Sequence, residues 1–519
     1  MREAHEAGDF AAGYRRALAD AQLQKALGHA TAKFTGARGA AAAAVGDDWE
    51  RLRSRASEIK EHTLLNLDFY LELFAANVER LGGKVFWAAD AAEANRHVTE
   101  IARSRGVSLV VKGKSMMTEE VGLNAALAAA GVESVETDLG EYVIQLAGER
   151  PSHITAPAIH KTRGEVADLF AEKLGVGRTE EIGELAAIAR RVLRERFASA
   201  GLGVTGVNFA VAQTGTIVLV ENEGNIRLTT SLPRVHVALM GIEKLVPRFE
   251  DLSVFLTLLP RSASGQKMTS YVSFLTGLKR AGTDEGPEEF HVVVLDNGRT
   301  RMLADPSLRR SLNCIRCGAC LNVCPVYQKI GGHAYGWIYP GPIGAVLTPQ
   351  LLGRGRAPDL PSASTLCGAC RDVCPLKIEI PEMLLHLRHQ IKEGAGEEAH
   401  GPRDDTTQSA ERPDASSPPA AARAARGPSA NRLKGRAAAW AERLAFRLWG
   451  AAMKDPRRYR RAAALARLAQ RLGPRGRRAA AGALPPGGRR TKRDLPPLAE
   501  RSFRELWAED DSETTPRRA

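Results

Sequence analysis

Seven cysteines fall between positions 314 and 374, and none lies elsewhere in the 519 residues. Packing needs would scatter them. An odd count, in a chain whose opening MREAHEAGDF shows no apolar leader, argues against a disulfide framework. Metal binding and redox chemistry remain. The first run is Cys314-Ile-Arg-Cys317-Gly-Ala-Cys320-Leu-Asn-Val-Cys324-Pro325, and the second is Cys367-Gly-Ala-Cys370-Arg-Asp-Val-Cys374-Pro375. The first matches the iron–sulfur run C-x2-C-x2-C-x3-C-P, and the second repeats its last three cysteines. Two intervening residues let a tight loop aim three thiolates at three irons, and the fourth cysteine leaves the loop to ligate the other cluster. Cluster one then takes Cys314, Cys317, Cys320 and Cys374, and cluster two takes Cys324, Cys367 and Cys370. One iron of eight lacks a sulfur, and three residues before Cys367 stands Ser364. A serine, water or other oxygen ligand, a three-iron cluster, and a ligand from a partner chain all stay open. Two 4Fe–4S clusters, the second with one non-cysteine ligand site, are the preferred reading. Zinc also uses C-x2-C pairs, but the 2-2-3 spacing suits a closed tetrahedral site poorly.

Other patterns carry less. Lys112-Gly-Lys114-Ser115 lies between an expected strand and an expected helix, where amides and lysines can hold an anion, although the turn is not a Walker loop. Thr214-Gly-Thr216 and Glu221-Asn-Glu223-Gly-Asn225 bracket a strand, where ligands sit in α/β folds and where turns also use Asn and Gly. Lys112, Lys114, Ser115, Thr214, Thr216 and Glu223 form the candidate ligand pocket. His153 and His160 could together ligate a metal, against the commoner reading of solvated or satisfied histidines. No nucleophile elbow, zincin helix or dinucleotide fingerprint occurs, and no catalytic residue is assigned.

The elements that position these residues follow from periodicity. Residues 1–80 read as helical. Strands are expected at 84–88, 107–112 and 132–137, alternating with helices at 91–105 and 119–130. Helices at 165–170 and 181–197 follow, then strands at 204–212, 216–221, 235–240 and 290–295 of the same sheet. This predicts an α/β domain over 81–300 with a largely parallel sheet covered on both faces. The cysteines occupy a domain at 305–392. Residues 393–430, rich in Gly, Pro, Ser and Ala, read as a disordered linker, and 431–519 as a basic helical region. Leu433, Ala437, Trp440, Leu444 and Leu448 share one face of a basic amphipathic helix there. The charge is uneven: residues 401–519 hold 27 basic and 13 acidic side chains, and the rest of the chain is nearly neutral. Such a tail suits a partner or a membrane surface, and no nucleic-acid fold accompanies it. With no apolar stretch of membrane-spanning length, a cytoplasmic protein is expected.

Taken together, these motifs resemble the lactate utilization protein B family. The resemblance runs through Asn66-Leu-Asp-Phe-Tyr70, Lys112-Gly-Lys-Ser-Met-Met-Thr-Glu-Glu120, Glu136-Thr-Asp-Leu-Gly-Glu-Tyr142, Pro151-Ser-His-Ile-Thr155, Thr214-Gly-Thr216, Glu221-Asn-Glu-Gly-Asn225, both cysteine runs and the closing 495–507 segment. It implies a LUD domain similar to the NagB/RpiA/CoA-transferase group and a ferredoxin-like domain with two 4Fe–4S clusters. It further implies an electron-carrying role as L-lactate becomes pyruvate, with lactate utilization proteins A and C as partners and an unidentified electron acceptor. The seven-cysteine arrangement fits that family, while the Ala/Arg/Pro-rich 400–490 stretch departs from it. By fold analogy with CoA transferases, Glu221 or Glu223 could be catalytic. The alternatives are a chain that itself oxidises lactate in the LUD pocket, and an iron–sulfur regulator.

Overall fold

A computed structural model describes residues 9–279, 282, 286–394, 444–471 and 507. The chain divides into two units, Met1–Asp405 and Thr406–Ala519.

The first unit is built on a six-stranded, fully parallel sheet. Its strands are β1 (Lys84–Ala88), β2 (Leu109–Lys112), β3 (Glu133–Glu136), β4 (Leu202–Thr205), β7 (Val235–Gly241) and β10 (Glu289–Leu295), in the order β1-β10-β7-β4-β2-β3. The central strands are apolar on both faces, as a sheet covered on both sides requires. On one face Val235, Val237, Leu239, Val293 and Leu295 meet the helices Ala91–Ser104, Met116–Glu120 and Leu123–Ala129. The helix Ala91–Ser104 is fixed by its sequence: Asp90 caps it by accepting from the Glu93 amide, and Ala94, Val98, Ile101 and Ala102 fall on the buried side. The single helix expected at 119–130 is two, because Gly122 adopts φ 67° between them.

The other face corrects the expectation of one sheet. β4 stops at Thr205, and β5 (Phe209–Val211), β6 (Thr216–Glu221), β8 (Leu245–Val246) and β9 (Tyr271–Leu275) form a second, four-stranded sheet in the order β8-β5-β6-β9. β5 and β6 pair antiparallel across a four-residue turn. Strands joined so closely form a hairpin and cannot enter a parallel sheet, which needs a long crossover. Ala210, Ala212 and Ile217 of this sheet, with Phe74 and Val78 of the helix Leu67–Arg80, pack on Ala238, Met240, Val292 and Val294.

β4 passes tightly beneath the helix Asn225–Ser231. A Cβ at Gly203 would lie 2.0 Å from the Thr229 carbonyl oxygen, a backbone atom that cannot rotate aside. Gly203→Ala is therefore expected to cost ~1–3 kcal/mol or more through forced displacement of that helix. The check is the midpoint of anaerobic urea unfolding. A midpoint equal to wild type would contradict the packing described.

The N-terminal helices Phe10–Ala19, Ala21–Ala43 and Asp48–Leu65 share a core with the cysteine segment: Leu27, Trp49, Ile59 and Leu64 join Cys317, Cys320, Leu321, Tyr327 and Leu384. They form a wall of the cysteine domain.

In the second unit, Pro456–Arg471 is a helix on which Leu465 and Leu468 are exposed. Leu444 and Leu448 are exposed as well. The rest of the expected amphipathic face (Leu433, Ala437 and Trp440) and residues 395–430 of the expected linker lie outside the described residues. Among the described residues, no helix is long and apolar enough to cross a membrane.

Candidate iron–sulfur centre and adjoining cavity

The two cysteine loops have the same backbone. Each follows a 3-10 turn, Arg309–Asn313 or Leu360–Ser362. Each places a non-glycine residue in the left-handed region just before its central cysteine, Arg316 at φ 61° and Leu366 at φ 56°. Each then has a left-handed glycine, Gly318 or Gly368, that opens a short helix, Ala319–Asn322 or Ala369–Val373. Alternation of this kind turns successive amides inward to make a concavity for negative charge. Non-glycine residues rarely hold such angles. The repetition extends to the first position of each loop. The Arg316 amide donates to Cys314 Sγ at 3.4 Å, and the Leu366 amide donates to Ser364 Oγ at 3.1 Å.

The thiols fall into two sets by their mutual influence. The charges of Cys314 and Cys374 raise the pKa of Cys317, and those of Cys314, Cys317 and Cys374 act on Cys320. Cys367 acts on Cys324, and Cys324 and Cys367 act on Cys370. Cys320 also feels Cys370, so the sets are neighbours. Burial is the first cause of every shift. It pushes Cys370 up to about 12 and Cys374 to about 11, so these thiols stay protonated until a metal displaces the proton. Amides of Leu376 and Ile378 oppose the shift at Cys374, and those of Val326 and Tyr327 oppose it at Cys324.

The spacing tests which metal fits. Sulfurs sharing one tetrahedral zinc lie about 3.8 Å apart. Among the described residues, the group of three or more candidate ligand atoms within 4.8 Å of one another is Glu149, His160 and His333, with no cysteine in it. Among the described residues, no three thiols stand close enough to share one such ion, which argues against a zinc site on these cysteines.

Each set has one less buried sulfur: Cys314 is half-buried in the first and Cys367 lies at the surface in the second, while Cys317, Cys320, Cys374, Cys324 and Cys370 are all 5–8% exposed. Two arginines from the N-terminal helices secure the Cys374 loop. Arg53 donates through Nη2 to the Cys374 and Asp372 carbonyls at 2.7 and 2.9 Å, and Arg38 donates to the Val373 carbonyl at 2.6 Å. Sequence reading missed both, because nothing near them announces a partner more than 300 residues away.

A cavity of about 720 Å³ adjoins the first set, lined by Ile315, Arg316 and Tyr339 of the cysteine domain and by Lys114, Glu223 and Lys244 of the LUD side. Arg316 crosses between them. Its guanidinium lies 3.4 Å from Glu243 and stacks 5.0 Å over the Tyr339 ring. Glu243 also binds Arg299 at 2.7 Å, Arg299 binds Glu120 at 2.8 Å, and the Tyr339 hydroxyl donates to Glu120 at 2.7 Å. The Lys60 ammonium closes the network on the Glu243 carbonyl. Burial lowers Lys244 to about 8, partly offset by Glu243, so a cation at the cavity wall titrates near neutral pH.

The expected pocket residues separate. Lys114, Ser115 and Glu223 line the cavity. The Lys114 ammonium sits 2.9 Å from the Thr155 carbonyl and 3.3 Å from Asp138; burial opposes its charge, but Asp138 and Glu141 more than offset this. Ser115 also caps the helix Met116–Glu120 by accepting from the Met117 and Thr118 amides. Glu223 accepts from the Leu139 amide at 3.0 Å, and its pKa is raised by burial and by Asp138. Lys112 does not reach the cavity: it is fully buried, ion-paired to Glu136 at 2.6 Å and Glu119 at 3.1 Å. Thr214 and Thr216 bond to each other at 2.7 Å in the β5–β6 turn, away from the cavity. There a Cβ on Gly215 would meet the Val78 nitrogen at 2.7 Å, so that turn is shaped by packing. Glu221 borders the cavity, but its two oxygens are taken by the Ile226 and Arg227 amides at 2.8 Å. His153 is buried, with Nδ1 accepting from the Thr155 and Ala156 amides, and does not join His160.

Comparison with known proteins agrees with this division. The LUD domain family matches residues 71–295, and the 4Fe-4S dicluster domain family matches residues 310–378. Lactate utilization protein B of Shouchella clausii is 48% identical over 385 residues, covering 74% of this chain and 81% of that one. The protein of the same name from a Geobacillus species is 50% identical over 350 residues, covering 67% and 74%. The one from Lysinibacillus sphaericus is 50% identical over 350 residues, covering 67% and 73%. With its LUD domain and iron–sulfur dicluster domain joined through one core, the chain belongs to the lactate utilization protein B family.

Proposed function

We propose that this chain is a cytoplasmic iron–sulfur subunit of a lactate-oxidising system, carrying the two electrons released as lactate becomes pyruvate. The observation that carries this reading is the order of its parts: a cavity bordered by Lys114, Lys244 and Arg316, then the thiol set of the Cys314 loop, then the set that surfaces at Cys367. In this reading Cys314, Cys317, Cys320 and Cys374 hold one 4Fe–4S cluster, and Cys324, Cys367 and Cys370 hold another. Each cluster supplies a one-electron carrier when bound. Arg38 and Arg53 hold the Cys374 loop in register, and inward amides favour the anionic core. Electrons gathered on the cavity side leave through the Cys367 surface to an acceptor. Lactate utilization proteins A and C are the expected partners, consistent with the name carried by the relatives.

Protein isolated without air should hold about eight iron atoms per chain and give a paramagnetic signal on reduction. Two zincs and no iron would end the proposal. Adding lactate together with the A and C chains should bleach the visible absorbance.

The cavity favours a second reading, in which lactate itself binds there, its carboxylate facing Lys114, Lys244 and Arg316. Bleaching by lactate with this chain alone would select it.

We propose Ser364 for the fourth position of the second cluster, because its hydroxyl accepts from the amide two residues on, as the Cys314 sulfur does in the first loop. Ser364→Cys should complete the thiolate set. After brief air exposure, wild type is expected to show a three-iron signal that the variant lacks. Equal signals in both would remove Ser364 from the coordination.

A further inference from the structure

A second, unrelated set of ligand-type side chains lies at the seam between the LUD domain and the cysteine domain. Glu149 and His160 precede the helix Arg163–Leu174, and His333 opens the 3-10 turn His333–Tyr335 beyond Cys324. One ligand atom from each lies within 4.8 Å of the others. His160 Nε2 and Glu149 Oε2 are 2.7 Å apart. The His160 and His333 rings meet edge to face at 4.5 Å. His160 has a side chain only 10% exposed, and its Nδ1 finds no partner among the described residues. We infer that Glu149, His160 and His333 form a binding site for a divalent transition metal of the zinc class, separate from the iron–sulfur thiols.

The donor set supports this choice. Two imidazoles and one carboxylate suit zinc and its first-row neighbours and leave a fourth position for water. The surroundings are those of a metal site. His333 Nε2 donates to the Arg150 carbonyl at 2.7 Å, which fixes the ring and leaves Nδ1 with its lone pair. Lys161 binds the other Glu149 oxygen at 2.6 Å and orients the carboxylate. Ligand atoms about 2.1 Å from one ion stand roughly 3.4 Å apart, so a bound ion would open the 2.7 Å contact between His160 and Glu149 and hold the third atom within the same range. Glu149 and His333 are exposed side chains, which lets the set adjust. A cavity of about 510 Å³, bordered by Asp20, Glu165 and Trp337, gives access.

The consequence is mechanical. The same seam is held by the Tyr327 hydroxyl, which donates to the Ser152 carbonyl at 2.7 Å, and by the Gly332 amide, which donates to Ser152 Oγ at 3.2 Å. A metal here would cross-link the segment 149–160 to the turn that follows Cys324. It would tie the cavity-bearing domain to the cluster-bearing one without touching the cavity or the cluster thiols.

The test uses full-length protein with its clusters, isolated without air, freed of loose metal by desalting, then equilibrated with zinc chloride and desalted again. Zinc, iron and the thermal midpoint are measured together. One zinc per chain beyond the cluster iron is expected, with a higher thermal midpoint. His160→Ala and His333→Ala should each lower zinc at least tenfold and abolish the shift, with iron content and paramagnetic signal unchanged. No zinc in the wild type overturns the inference. So does equal zinc in the wild type and both variants, which would place the ion on cluster thiols.

Discussion

Cys374→Ala is expected to strip the cluster of the Cys314 loop and spare the one that reaches the surface at Cys367, although Cys374 belongs by sequence to the second run. The exchange of fourth ligands makes this counterintuitive outcome specific. In the proposed ligand sets the variant removes a thiolate from Cys314, Cys317 and Cys320 and leaves Cys324, Cys367 and Cys370 intact. The loop itself should stay in place, because Arg53 and Arg38 grip the carbonyls of residues 372–374 and do not use the sulfur. Iron should fall from about eight to about four atoms per chain. Accessibility identifies which half remains. The least buried sulfur of one set, Cys367, lies at the surface, and that of the other, Cys314, is half-buried, so wild type should release iron to a chelator in a fast half and a slow half. Cys374→Ala should keep only the fast half, and Cys324→Ala only the slow half. The opposite pairing would show that each run serves its own cluster and would refute the crossed ligand sets.

The cysteine runs were legible because their chemistry is local. Two or three residues of spacing decide which thiolates share a loop, and the same glycines recur in both runs. The parallel sheet was legible as apolar strands alternating with helices. The second sheet was not, because β5 and β6 carry the same apolar signature as their neighbours. Only the brevity of the turn at Ala212–Gly215, whose Thr-Gly pair also fits a ligand motif, separates a hairpin from a crossover strand. Lys112 and Lys114 illustrate the limit at the cavity. They sit two residues apart, yet the first is the last residue of β2, sealed between Glu119 and Glu136, and the second emerges beyond it. Period-two geometry cannot tell which of them escapes burial. Arg38, Arg53 and the pairing of His160 with His333 were invisible for another reason. Each is made by contacts across more than 150 residues, and no spacing rule spans that distance.

Arg299→Met is the substitution expected to destabilise the first unit most without touching a cysteine. Arg299 is 1% exposed and stands between two buried carboxylates, Glu120 at 2.8 Å and Glu243 at 2.7 Å. Removing one partner of a buried pair leaves an uncompensated charge and costs ~3–5 kcal/mol. The methionine fills the space, so cavity formation adds little. The pH dependence should identify the cause. In the native protein burial alone would raise Glu243, but Arg299 first and Arg316 second draw it down to about 2. A carboxylate depressed in the folded state contributes stability above its unfolded value of about 4.3, and that contribution is lost as pH falls toward 2. With Arg299 gone, burial dominates at Glu120, whose pKa rises above the unfolded value. The deficit of the variant against wild type should then shrink as pH is lowered from 7 to 5, because the loss of stability from buried neutral histidines such as His153 and His236 over that window is common to both proteins. Glu120→Gln in the same background removes the stranded charge and keeps an amide for Tyr339 and Asn297, so it should recover part of the loss. A single variant within about 1 kcal/mol of wild type, or one whose deficit ignores pH, would show that the network contributes little. The effect should also reach the cluster loop. Glu243 without Arg299 draws harder on Arg316, whose amide meets Cys314 Sγ and whose side chain walls the cavity. A change in the reduced cluster's paramagnetic signal, in a protein that keeps all its iron, would mark Glu243 as the joint between the α/β scaffold and the redox centre.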